Sequence, residues 1–140
     1  ARLPRDWDIV LWGWNFDSML SLLAMPGISS CIMLFDQAQL RQSISTFQAS
    51  RNDVALFRLD KCFGMCAYSI SPAGASKYRS LCFPLRALTV RFPRLETVLP
   101  NNGIDIALNN VYADTNAFVS FPPLAVTANQ NAVSTTLGNA

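Results

Sequence analysis

Two aspartates have the type and placement that a catalytic or ligand-binding carboxylate needs. Asp105 follows the turn at residues 100–103 and begins a helical pattern, where backbone N–H groups favour a carboxylate. Such a group can act as a general base, although stabilising the start of a helix is its commoner role. Asp60 stands beside Lys61 and could bind a hydroxyl group of a ligand, but a solvated ion pair is the more frequent arrangement. We predict Asp105 as the stronger catalytic candidate.

A second pair of carboxylates, Asp6 and Asp8, has the D-x-D spacing that can hold a divalent metal ion on a diphosphate. The residue after Asp8 begins the apolar run IVLW, so the aspartate leads directly into a predicted strand. This context favours a structural role for Asp8, and we predict no metal site in the chain.

Cysteine chemistry gives little support for a metal or for a disulfide. The chain has no histidine, and the closest cysteines have C-x-x-x-C spacing, which does not suit structural zinc. We therefore predict no bound zinc and no structural disulfide, with buried free thiols as the ordinary state. The cysteines are Cys31, Cys62, Cys66 and Cys82.

Aromatic and basic side chains supply candidate binding groups. Aromatic rings can stack on sugar faces, but core packing is the commoner fate of tryptophan beside branched apolar residues. Trp14 is the most suggestive, because it ends a predicted strand and is followed by polar residues. Three arginines near prolines could hold a phosphate or could be solvated loop charges. The aromatic candidates are Trp7, Trp12, Trp14, Tyr68 and Tyr112, and the arginines are Arg86, Arg91 and Arg94.

Composition removes several classes of function. Without histidine the chain can form neither a Ser–His nor a Cys–His catalytic pair, and it contains no P-loop or dinucleotide-binding motif. Its eleven Lys and Arg residues are dispersed, so we expect no nucleic-acid partner. Residues 9–35 contain one charged side chain, Asp17, but polar residues and a Pro-Gly pair interrupt the apolar run, which favours a soluble protein over a membrane span.

Alternating strand and helix patterns predict an α/β fold with a mixed sheet flanked by helices. The central unit is residues 60–81, in which a buried strand turns sharply into a helix at Ser71 and Pro72. We also predict a short helical turn at residues 19–25 and a short edge strand at 54–59. The main strands are expected at residues 8–14, 31–35, 65–70 and 117–121, and the helices at 36–48, 72–81 and 104–112.

Four segments of the chain resemble the second half of glycosyltransferase family 25, which includes lipooligosaccharide glycosyltransferases and collagen galactosyltransferase-like enzymes. The segment CAYSISPAGA at residues 66–75 is similar to the family's "AYxIS-x-x-GA" motif. The others, in the family's order and spacing, are LPRDWDIVL at 3–11, GIDIAL at 103–108 and PPLAVT at 122–127. The resemblance covers nearly the whole chain.

This resemblance implies a partial GT-A-like α/β domain at residues 1–126. Residues 127–140 are small and polar, rich in Asn, Thr and Ser, which predicts an extended tail. The resemblance also implies a sugar-nucleotide-dependent enzyme of surface glycan or lipooligosaccharide synthesis, with a glycan acceptor and a divalent metal in the complete enzyme. Asp105 looks like the residue that binds acceptor or serves as base. The residues expected to bind substrate are Tyr68, Ser69, Asn102, Asp60 and Trp14.

The family's carboxylate-rich "EDD" motif lies shortly before the segment at residues 3–11, and the sequence begins two residues before Leu3. We therefore expect a fragment lacking the donor half, inactive by itself and completed by a missing N-terminal half. Two alternatives stay open: a non-catalytic carbohydrate-binding module derived from such an enzyme, and a structural α/β domain that assembles with a partner chain. The expected location is the cytoplasm or the surface of the inner membrane.

Overall fold

A computed structural model describes residues 2–15, 19–25, 27–50, 53–87, 89–91, 98–101 and 103–127. These residues form eight strands and three helices. In chain order they are β1 (Ile9–Gly13), β2 (Met19–Met25), β3 (Ser29–Leu34), α1 (Gln37–Ala49), β4 (Ala55–Cys62), β5 (Ala67–Ile70), α2 (Pro72–Cys82), β6 (Thr89–Arg91), β7 (Val98–Pro100), α3 (Ile104–Asn109) and β8 (Ala117–Phe121).

Six of the strands form a mixed sheet in the order β3-β2-β4-β8-β1-β5, and β6 pairs with β7 in a separate ribbon. Within the six-stranded sheet β1 runs parallel to β8, and the other neighbouring strands are antiparallel. The predicted α/β fold with a mixed sheet is therefore confirmed. β1 is buried on both faces, with Ile9, Val10 and Leu11 fully inaccessible, as its continuous apolar run requires.

The turn from β5 into α2 is confirmed in its details. Ser71 caps the helix by accepting a hydrogen bond from the Gly74 N–H at 2.9 Å, and Pro72 occupies the first turn. The Ser71 N–H donates to the Asp8 carbonyl at 2.9 Å. A Cβ atom on Gly74 would lie 2.1 Å from the same carbonyl oxygen, so the glycine lets the helix pack directly on the start of β1.

The helix after Asp36 is also confirmed. The Asp36 carboxylate accepts hydrogen bonds from the N–H groups of Ala38 and Gln39, at 2.9 and 3.0 Å. α1 then runs from Gln37 to Ala49, and its partly buried residues Leu40, Ile44 and Phe47 recur at helical spacing.

Two predictions about the middle of the sheet are wrong. The predicted helical turn at residues 19–25 is strand β2, because Leu20 and Leu22 pair with strands on both sides. The predicted edge strand at 54–59 is β4, which continues to Cys62 and lies between β2 and β8. In both cases pairing with distant strands decides the outcome, and no local pattern shows it.

Both predicted buried strands at 31–35 and 65–70 are edge strands instead. β3 exposes Cys31 and Leu34, the latter at 69%. β5 pairs only with β1 within the described chain, and it leaves Tyr68 50% exposed. The last helix is shorter than predicted, since α3 ends at Asn109 and turns lead from there to β8.

The four cysteines are free thiols, but only two of them are buried. Cys62 and Cys82 match the prediction, whereas Cys31 and Cys66 are exposed and correct it. Burial raises the pKa of the Cys62 thiol well above its usual value. None of the described helices is long and apolar enough to cross a membrane. The predicted tail, apart from Thr127, lies outside the described residues.

Candidate functional site

The start of α3 holds Asp105 in a half-buried position. Gly103 precedes the helix in an extended conformation and contributes no side-chain cap. Asp105 Oδ1 accepts a hydrogen bond from the Ile106 N–H at 3.0 Å, which fixes one carboxylate oxygen. No donor among the described residues bonds to Oδ2. Within the described part of the chain, Asp105 is thus held by one oxygen only.

Asn109, four residues after Asp105, links α3 to the end of β4 through hydrogen bonds of its side chain, which we call the Asn109 clamp. Its side chain is fully buried, with Oδ1 accepting from the Cys62 N–H at 2.7 Å and Nδ2 donating to the Cys62 carbonyl at 2.8 Å. Nδ2 also donates to the Asp105 carbonyl at 2.9 Å. The side-chain amide of Asn109 thus pairs with Cys62 as the backbone of a neighbouring strand would. It also holds the backbone at Asp105, which carries the candidate carboxylate.

Two buried tyrosines, Tyr78 and Tyr112, pack against each other, with their ring centroids 6.4 Å apart in an edge-to-face contact. The Tyr78 hydroxyl shares a 2.6 Å hydrogen bond with Thr115, and burial raises its pKa to about 12. Tyr112 is fully inaccessible, and burial raises its pKa well above the usual value, with Cys62 acting in the same direction. No group in the described chain bonds to the Tyr112 hydroxyl.

Asp60 is not the solvated loop carboxylate that the sequence suggests. It lies inside β4 and is 7% exposed. Its Oδ2 accepts from the Ser21 hydroxyl at 2.8 Å, and its Oδ1 accepts from Lys61 Nζ at 2.9 Å. Because both oxygens are already bonded inside the protein, the predicted contact with a sugar hydroxyl does not fit this geometry. A structural role in joining β2 to β4 fits it better.

Asp8 also has a structural role, as predicted. Asp8 is buried, with its side chain 6% exposed, and its Oδ2 accepts from Lys77 Nζ and from the Asn116 N–H at 2.9 Å. Burial acts to raise the pKa of Asp8, but the bonds from Lys77 and Asn116 and the charges of Lys77 and Arg58 outweigh it and lower the pKa.

The Asp6–Asp8 pair does not fit the divalent metal that the resemblance implies. In the Asp6–Asp8 pair, Asp8 is already neutralised by the ammonium of Lys77. Within the part of the chain that is described, no group of three or more His, Cys, Asp or Glu side chains could hold a metal ion.

The remaining predicted substrate residues differ in burial and in their bonds within the protein. Trp14 is fully buried and stacks on Phe121 with ring centroids 6.4 Å apart, so its predicted contact with a sugar does not fit the structure. Tyr68 presents half of its surface on β5, and the Ser69 hydroxyl accepts from Trp12 Nε1 at 2.9 Å. No hydrogen bond among the described residues joins Tyr68 or Ser69 to Asp105, and Asn102 lies outside those residues.

Sequence analysis missed Asn109, although a weak signal for it exists. The residue is an amide in the mostly apolar run IDIALN, one helical turn after Asp105. A buried amide in such a run must find hydrogen-bond partners, which marks it as a candidate link between elements. Its main partner, Cys62, is 47 residues away, so the pairing itself could not be predicted.

No family model, curated protein or solved structure matches this chain. Two of the four segments behind the resemblance, residues 3–11 and 66–75, contact each other, and a third, residues 122–127, contacts the two residues that follow the first segment. Ser71 bonds to Asp8 as described above, and the Leu124 N–H donates to the Trp12 carbonyl at 2.7 Å. A Cβ atom on Gly13 would lie 2.5 Å from the Ala125 carbonyl oxygen, so the segment at residues 122–127 packs closely on the end of β1.

Proposed function

We propose that this chain forms the acceptor side of a sugar-nucleotide-dependent glycosyltransferase similar to family 25, with a GT-A-like arrangement of its sheet. Its product would be a surface glycan or lipooligosaccharide, made in the cytoplasm or at the inner face of a membrane. The observation that carries the proposal is the half-buried carboxylate of Asp105, with one oxygen fixed and the other unbonded among the described residues. The resemblance assigns the same residue to the site.

In the proposed reaction Asp105 acts as general base. Its Oδ2 accepts the proton of an acceptor hydroxyl group while the oxygen of that hydroxyl group forms a bond to the anomeric carbon of the donor sugar. The bond from the anomeric carbon to the nucleotide diphosphate breaks, and its electron pair leaves with the phosphate oxygen. The Oδ1 bond to the Ile106 N–H and the Asn109 clamp keep the carboxylate in place during the transfer.

A divalent metal would stabilise the charge of the departing diphosphate in enzymes of this type. Since Asp6 and Asp8 do not fit such an ion, we assign no part of the leaving-group chemistry to a metal held by this chain. The role of the chain is to bind the acceptor, to orient its hydroxyl group and to take up the proton.

Two measurements test this function. The 140-residue chain, labelled with ¹⁵N, is titrated with neutral acceptor saccharides, and amide shifts are expected first at Asp105 and Ile106. The natural protein is then assayed for transfer from a panel of sugar nucleotides to the saccharides that bind. Binding without transfer in the natural protein would favour the non-catalytic binding module. If the chain binds no saccharide and the natural protein shows no transfer, the proposal is refuted.

A further inference from the structure

A cleft of about 470 Å³ opens between the segment that precedes β1 and the first turn of α2. The volume lies within the ~300–1,000 Å³ range of small-molecule sites. The lining of this cleft contains neither Asp105 nor Asn109, and the proposed transfer reaction does not use the cleft. The lining groups used below are Arg5, Asp6, Trp7, Ser71, Lys77 and Asn116.

The floor of the cleft is held in place by bonds within the protein. Asp8, at the base, is buried and accepts from Lys77 and from the Asn116 N–H. Ser71 is fixed on both sides, because its hydroxyl accepts from the Gly74 N–H and its own N–H donates to the Asp8 carbonyl. A ligand would therefore meet polar groups that are already oriented, which lowers the entropic cost of binding.

The charges around the cleft select the class of ligand. Arg5 and Lys77 are cationic, and Asp6 and Asp8 are anionic, so the lining is formally neutral. A phosphate would face two carboxylates, and a divalent cation would face an ammonium and a guanidinium. A wholly apolar ligand would cover these charged groups without satisfying them. A neutral ligand with many hydroxyl groups meets none of these costs.

The half-buried ring of Trp7 adds an apolar face to this polar lining. A carboxylate accepts hydrogen bonds from hydroxyl groups, and a guanidinium donates hydrogen bonds to them. An aromatic ring packs against C–H surfaces. We propose that the cleft binds a neutral saccharide unit, with Asp6 and Arg5 bonding its hydroxyl groups and Trp7 packing against its C–H face. This goes beyond the proposed function, because it needs no transfer at Asp105.

The test is a ¹⁵N NMR titration of the 140-residue chain with maltose, lactose and chitobiose, with inorganic phosphate and MgCl₂ in separate arms. At least one disaccharide is expected to shift the Trp7 indole and the amides of Ala73 and Asn116. Asp6→Asn, an exposed position, should weaken that binding about 10-fold, since hydrogen bonds to charged groups are the stronger ones. Asp105→Asn serves as the control and should leave it unchanged.

Three results would overturn the inference. The first is that no disaccharide shifts the cleft signals, and the second is that phosphate or Mg²⁺ shifts them while the saccharides do not. The third is that Asp6→Asn and Arg5→Gln bind as tightly as wild type. Both variants are at exposed positions, so the test does not depend on the tolerance of the fold to a change at Trp7. Loss of transfer in Asp105→Asn with intact cleft binding separates this inference from the proposed function.

Discussion

Replacing Asn109 by aspartate should destabilise the protein strongly while keeping the size of the side chain. The aspartate can still accept from the Cys62 N–H, but it cannot donate to the carbonyls of Cys62 and Asp105. The buried Cys62 carbonyl and the partly buried Asp105 carbonyl then lose this donor, and a carboxylate is introduced at a fully inaccessible position. The end of β4 and the start of α3 lose the link that holds them together.

The size of the effect follows from the two lost bonds and the buried charge. The buried Cys62 carbonyl left without this donor costs about 1–3 kcal/mol, and the buried carboxylate costs at least as much, so the total is about 2–6 kcal/mol. That is a large part of a total stability of about 5–15 kcal/mol. Asn110→Asp is the matched control, because Asn110 is only partly buried and its side chain makes no hydrogen bond to the described residues. Asn110 ends α3, where a negative charge is mildly unfavourable, so we expect the control to lower stability by less than about 1 kcal/mol.

Urea denaturation at neutral pH, followed by tryptophan fluorescence, measures both variants against wild type. Hydrogen exchange at the Cys62 amide adds a local readout, since Asn109 is the acceptor for this N–H. If Asn109→Asp unfolds within about 1 kcal/mol of wild type, the clamp does not hold the site as described.

Three further predictions concern the packing around β1 and α2. The pKa of Asp8 is lower in the folded than in the unfolded state, so the pair with Lys77 stabilises the fold above about pH 4 and this stabilisation is lost as pH falls further. Acid titration of stability should therefore be shallower for Asp8→Asn, and an unchanged slope would refute the assignment. Tyr112→Phe should leave stability unchanged or raise it by up to about 1 kcal/mol, whereas Tyr78→Phe, which loses a hydrogen bond, should lower it by about 1 kcal/mol. Equal effects in thermal melts would contradict this contrast. Gly74→Ala should lower the melting temperature despite the better helix propensity of alanine, because its Cβ would collide with the Asp8 carbonyl, and a raised melting temperature would show that the helix can move away.

The elements that could be predicted from the sequence are those with local signals. Ser71 and Pro72 mark the start of α2, Asp36 marks the start of α1, and the continuous apolar run of β1 predicts a strand buried on both faces. Residues 19–25 lack such a signal, because the run MLSLLAM suits a helix as well as a strand. Their strand conformation comes from pairing with β3 and β4, which depends on distant parts of the chain.

The surroundings of the candidate residues were predictable to the same extent. The turn before Asp105 is visible in the sequence, and the structure leaves this carboxylate half-buried with one oxygen unbonded among the described residues. The burial of Asp60 and Trp14 was not visible, because it follows from β4 lying inside the sheet and from the contact of Trp14 with Phe121. Composition alone cannot distinguish a polar or aromatic residue at a strand end from one packed beneath a neighbouring element.

The most direct test of the proposed function is the steady-state rate of sugar transfer by the Asp105→Asn variant of the natural protein. Asp114→Asn is the matched control, because Asp114 is an exposed carboxylate on the turn that follows the same helix. We predict that Asp105→Asn lowers kcat by about 10²–10⁴-fold with an unchanged melting temperature, since general-base catalysis contributes that much and the substitution is nearly isosteric. The control should keep the wild-type rate. A wild-type rate in Asp105→Asn would contradict the assignment of Asp105 as the base.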